Sequence, residues 1–119
     1  MATQPVLDPA IIDTLRQLTV PGEPDVLKEV LKLFLDETPS RIAKLRNAWA
    51  TRDIQGVQRV AHSLKGSAGN IGAHALYEIC KKLDGGGQAG VMVDTAGLID
   101  ALTSEFSKVE EEIHRITGA

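Results

Sequence analysis

Leu98, Leu102, Phe106, Val109, Ile113 and Ile116 recur at steps of three and four, a spacing that lines one face of an α-helix and no face of a strand. A helix striped in this way must bury that stripe against other helices. The rest of the chain supplies them. Ile11, Ile12, Leu15 and Leu18 give a short first helix an apolar side, with Asp8 as its cap and Pro9 at its first position. Leu27, Val30, Leu31, Phe34, Ile42, Leu45 and Trp49 mark a second helix from about residue 24 to 50, which Thr38-Pro39 is expected to kink or briefly break. Asp53 caps a third, to about residue 71, whose apolar side is Val57, Val60, Leu64, Ala68 and Ile71. Gly72 permits a tight reversal into a fourth, about 73–84, that buries Ala73, Leu76, Cys80 and Leu83 and is stopped by a flexible Gly85-Gly86-Gly87 joint. The fifth covers about 94–117. The expected fold is all-α: one domain over residues 1–119, an antiparallel up-down-up-down four-helix bundle with a short additional N-terminal helix at about 9–18.

Composition narrows the function classes. Only one Trp, one Tyr and two Phe occur, too few and too scattered for a nucleic-acid stacking platform. The net charge of −3 gives no electrostatic footprint for nucleic acid. A single cysteine, Cys80, excludes an internal disulfide framework and points to a reducing compartment. No long apolar run and no leader pattern occurs, so no membrane contact is expected and the cytoplasm is the expected location. Met1 and the end just after the last helix favour a free-standing protein, and one apolar stripe per helix favours a monomer.

The third helix carries the chemistry. In the run Ala61-His62-Ser63-Leu64-Lys65-Gly66-Ser67-Ala68-Gly69-Asn70, offsets of three, four and seven place Lys65, Gly66 and Gly69 within about 60° of His62. The apolar stripe lies on the opposite side, so the imidazole is expected to face solvent. A neutral imidazole nitrogen is a nucleophile, and a lysine one turn on can neutralise charge on a phosphoryl group. Glycines inside a helix cost about 1 kcal/mol each relative to alanine. Room for a partner's backbone accounts for them. In a hairpin turning near Gly72, His62 comes to lie opposite Lys81 to Gly85, and Asp84 is placed to hydrogen-bond the imidazole and fix its tautomer.

The segment from Ala61 to Asp84 resembles the histidine phosphotransfer (HPt) domain of multistep phosphorelays. The likeness rests on His62, Leu64, Lys65, Gly66 and Ser67, on Gly72 and Ala73, and on Leu76, Cys80 and Leu83; the stretch from Leu33 to Leu45 also looks like the family's preceding helix. The resemblance implies a phosphocarrier. His62 would take a phosphoryl group from the aspartyl phosphate of a response-regulator receiver domain and pass it to another, with a hybrid histidine kinase upstream. Lys65 would stabilise phosphoryl charge, and Mg²⁺ would sit in the receiver. No cofactor of its own and no nucleotide site are implied. Asp84 stands where HPt domains often have Gln or Glu, and Gln88 where some relatives have a basic residue, so Arg59 is the candidate second cation.

Blander readings stand beside these. A helical adaptor that binds partners without phosphotransfer is the main alternative, and a hydrolase using His62 as a general base would need a partner nucleophile that the sequence does not display. Arg59, Lys65, Lys81 and Lys82 either steer an acidic partner or form a solvated face. His74 and His114 read as surface residues, Cys80 as a small buried hydrophobe. No two of His62, His74 and His114 stand at i, i+4 spacing, so no metal is expected.

Overall fold

Aspartates start four of the five helices, each turning its carboxylate back onto an unpaired backbone N–H of the first turn. Asp8 accepts from Ala10, Asp25 from Lys28, Asp53 from Gly56 and Asp94 from Gly97. The computed structural model describes residues 5–85 and 94–118, and among them the elements are α1 (Pro9–Gln17), α2 (Val26–Ala50), α3 (Ile54–Asn70), α4 (His74–Gly85) and α5 (Thr95–Thr117). The small differences from the expected bounds have a cause. Asp25, Asp53 and Asp94 are caps outside the helix proper, so α2 begins two residues after Pro24 and α3 and α5 one residue after their aspartates. Gly85 belongs to α4; the expected joint at Gly86 and Gly87, and Gln88, lie outside the described residues.

Helices α2, α3, α4 and α5 close a ring, α2 against α3, α3 against α4, α4 against α5 and α5 back against α2, while α1 packs on α2. All described residues in regular structure are helical, and the architecture is the expected four-helix bundle with an additional N-terminal helix. The core is aliphatic: Leu31, Leu45, Leu64, Leu76, Ile99, Leu102 and Ile113 are fully enclosed, each contributing about 1.5–3 kcal/mol relative to exposure. Phe34 and Phe106 meet across the core in a tilted pair with centroids 6.0 Å apart.

Pro39 does not break α2. The residue before it, Thr38, is buried and its hydroxyl donates to the Phe34 carbonyl at 2.6 Å, a local bond that helical Thr makes readily. Only one N–H is missing at Pro39, whose ring is exposed, and the buried stripe of Phe34, Thr38, Ile42 and Leu45 runs through the site unbroken. Two stripes shift slightly from expectation. Leu18 is 57% exposed, because the chain leaves helical structure there and Leu7, before the helix, enters the core instead. Ile99 is buried in α5, with Leu98 and Ile116 at the edge of the core.

The α3–α4 reversal sets the register of the site. Gly72 has φ +74°, a left-handed conformation that glycine adopts without steric cost, and the Ala73 N–H returns to the Ala68 carbonyl at 2.9 Å. The two helices then run back antiparallel.

Candidate functional site

Ala61 and Leu64 are wholly buried, and this fixes the direction of the residue between them: His62 projects outward with its side chain 73% exposed. Asp84 arrives from α4, where the hairpin register places it. Its Oδ2 lies 3.2 Å from His62 Nδ1, and the same oxygen accepts from Lys65 Nζ at 2.7 Å. Lys65 and Asp84 are both about one-fifth exposed in their side chains, 23% and 22%, so the ion pair lies half under the surface while the imidazole stands above it.

The charges reinforce one another. Lys65 donating to Asp84 holds that carboxyl below its ordinary range, His62 adds to the effect, and partial burial opposes it. Asp84 in turn raises Lys65, again against partial desolvation. Asp84 is therefore a carboxylate across the physiological range and can only accept hydrogen bonds. Nδ1 of a neutral His62 is then the N–H donor, which leaves the Nε2 lone pair directed away from Asp84 and available to solvent.

The ring opens into a shallow depression lined by Gln55, Gln58, Arg59, His62 and Asp84. Arg59 lies beside His62 in this lining, and the two glutamines are additions to the residues singled out from the sequence. Nothing in their spacing alone marks them. Around Gly66 a Cβ would meet no atom within 4 Å, so this stretch of α3 presents bare backbone next to Lys65. Gly69 differs from the expectation of an open docking position. It is half-buried, and a Cβ there would rest 3.5 Å from the ring of Tyr77, because this part of α3 turns toward α4 as the hairpin closes. Lys81 and Lys82 are exposed on α4 and form no ion pair with the site.

Three contacts escape sequence reading. Arg41 of α2 donates to Ser67 at 2.8 Å and pairs with Glu37 at 3.0 Å, bracing α3 just beyond Gly66. His74 Nε2 lies 2.8 Å from Asp8 Oδ2 and ties α4 to the cap of α1. Lys65 is engaged by Asp84. The Glu37–Arg41 spacing is visible as an i, i+4 pair, whereas the others join residues 19 or more apart. Cys80 is buried as expected, and burial pushes its thiol up to about 12. His114 is exposed on α5. Among the described residues no three His, Cys, Asp or Glu side chains gather as a metal-ligand set, and no helix is long and apolar enough to cross a membrane.

With this geometry in place, comparison with known proteins is specific. Histidine-containing phosphotransfer protein 2 of Arabidopsis thaliana is 33% identical over 69 residues, 56% of this chain and 44% of that protein. Multistep phosphorelay regulator 1 of Schizosaccharomyces pombe is 22% identical over 78 residues, 66% of this chain and 26% of that protein. The chain therefore spans less than half the length of these curated relatives. The crystal structure of histidine-containing phosphotransfer protein B (HptB) from Pseudomonas aeruginosa superposes with a TM-score of 0.82 at 27% identity, over 95% of this chain and 98% of that one. The family model of the Hpt domain matches residues 29–112, a span that holds α3, α4, most of α2 and α5, and the His62–Lys65–Asp84 cluster, and the chain belongs to the Hpt domain family.

Proposed function

We propose that this protein is a phosphocarrier that accepts a phosphoryl group on His62 from the aspartyl phosphate of one receiver domain and delivers it to the aspartate of another. The observation that carries this reading is an outward imidazole whose Nδ1 is held by Asp84 beside the Lys65 ammonium. Nε2 is the nucleophile. It attacks phosphorus in line with the departing aspartyl oxygen; the N–P bond forms as the P–O bond breaks and its electron pair returns to the aspartate carboxylate. Lys65, one turn along the same face, stabilises the phosphoryl oxygens, and Mg²⁺ belongs to the receiver.

Docking is proposed over the bare backbone at Gly66, with Arg59, Lys81 and Lys82 around it to steer an acidic receiver surface. Gly69 contributes by close packing beneath that surface. The upstream source is a hybrid histidine kinase, and the protein acts in the cytoplasm as a monomer with no cofactor and no autokinase chemistry of its own.

Incubation with phosphorylated receiver domains tests the reading. Wild-type protein should acquire acid-labile, base-stable phosphate, and His62→Gln should acquire none while keeping its helicity. A wild-type protein left unlabelled across a panel of receivers overturns the carrier function and favours a helical adaptor.

A further inference from the structure

The two ends of the His62 ring are not served alike. Asp84 holds Nδ1 from the α4 side, and the Lys65 ammonium is drawn to that same carboxylate oxygen at 2.7 Å. Nε2, the proposed point of attack, is the far end of the ring. The cation that borders the ring on that flank is Arg59. It lines the depression around His62 and also the adjoining α2–α3 groove, with Lys44 and Val60, so Arg59 stands on the α2 flank while Lys65 leans toward α4. We infer that Arg59 grips the phosphoryl group on Nε2, as the second jaw of a clamp whose other jaw is Lys65. The inference rests on the phosphocarrier reading and deepens it, because it assigns Arg59 to the transferred group and not only to the receiver's surface.

Helix geometry sets the two jaws. Three residues before and three after His62 place Arg59 and Lys65 about 60° to either side of the ring, each about 4.5 Å away along the axis. A phosphoryl group between them is approached from both sides.

Charge decides which jaw is uncommitted. A phosphoryl group brings up to about two negative charges and three acceptor oxygens. Lys65 answers only part of this, since Asp84 already occupies its ammonium. Arg59 is exposed, and among the described residues it enters no ion pair. No carboxylate occurs anywhere on α3 to claim it. Its planar fork can therefore meet two phosphoryl oxygens at once, and the Gln55 and Gln58 amides border the same depression as further donors. The guanidinium neither gains nor loses a proton. It stabilises charge on the phosphoryl oxygens while the P–O bond breaks and the N–P bond forms.

Potassium phosphoramidate, a phosphoryl donor with no protein surface, separates gripping from steering. Arg59→Gln should be labelled on His62 about tenfold or more slowly than wild type by phosphoramidate as well as by a phosphorylated receiver. In wild-type protein carrying ¹⁵N-arginine, the Arg59 Nε–H signal should move when His62 is phosphorylated. Equal phosphoramidate rates in the two proteins, or an Arg59 signal that stays in place, would each overturn the clamp. Circular dichroism of Arg59→Gln should match wild type, which keeps a slower rate from being read as unfolding. Wild-type protein labelled by phosphoramidate with the Arg59 defect, yet by no receiver, would sink the carrier function and leave the clamp standing; a defect confined to receivers would sink the clamp alone.

Discussion

The Gly72 carbonyl accepts the Asp8 N–H at 2.9 Å, and a Cβ at Gly72 would stand 2.8 Å from the Asp8 Cβ. One residue thus turns α3 into α4 and seats the start of α1. Replacement by alanine meets two penalties at once, a left-handed φ that costs about 1–2 kcal/mol for a side-chain-bearing residue and a clash with the segment that caps α1. Gly72→Ala should lower the unfolding free energy by about 2 kcal/mol or more, read by denaturant titration. Unchanged stability would contradict the turn geometry.

Gly66 separates stability from function. Its surroundings are empty, so Gly66→Ala should stabilise the helix by up to about 1 kcal/mol, and thermal unfolding should report a higher Tm. A bulky side chain at the same position should also fold, yet slow phosphotransfer from a receiver by obstructing approach. If Gly66→Trp transfers at the wild-type rate, the docking face lies elsewhere.

Lys65→Ala removes the cation that shares Asp84 Oδ2 with His62. Transfer to His62 should slow by about tenfold or more, in keeping with loss of charge stabilisation in phosphoryl transfer, with little change in helicity. A rapid-quench time course with one phosphorylated receiver measures it, and an unaltered rate would remove Lys65 from the mechanism.

The Asp84–Lys65 pair gives stability a defined pH window. Asp84 is lowered from 3.8, so its contribution is present above that value and fades as pH falls through the lower, folded value. Lys65 is raised from 10.5, so its contribution is present below that value and fades as pH rises through the higher, folded value. The stability gap between wild type and Asp84→Asn should therefore be present between these limits and close beyond either. Urea titrations at acid, neutral and alkaline pH check the shape; a gap that persists at strongly acid pH would mean that the carboxylate charge is not its source.

The buried thiol of Cys80, pushed up to about 12, should resist alkylation in the native protein, since the thiolate is the reactive form. Labelling should track unfolding, appearing in denaturant with the loss of helicity. Fast native-state reaction with a thiol reagent would show that α4 opens readily.

What could be read from the chain divides along the range of the interaction. The direction of His62 followed from the apolar stripe of Val57, Val60, Leu64, Ala68 and Ile71 on the other side of its own helix, and the caps Asp8 and Asp53 announced themselves by local pattern. Asp84 opposite His62 followed from counting outward from Gly72, which works because a hairpin fixes its own register. Counting could not show that one carboxylate oxygen serves both His62 and Lys65, nor that Arg41 reaches Ser67, since those depend on rotamers and on how α2 and α4 lie against α3. Gly69 was legible as a glycine on the His62 side but not as the seat of Tyr77. Pro39 misled for a related reason: the rule that proline disrupts a helix is local, while the buried Thr38 and its neighbours hold α2 through packing.

The seating of α1 against the α3–α4 turn also determines how the molecule can be handled. Asp8 sits at Gly72 and His74, and Ile116 and Thr117 border the same groove as Arg16, Thr19 and Asp25, so the first and last described helices finish near one pole of the bundle. His62 precedes Gly72 by ten positions, about 15 Å of helix, and Asp84 lies beside it, toward the other pole. Fluorophores or surface tethers attached at exposed positions of the first pole, such as Arg16 or Val20, therefore leave the imidazole accessible.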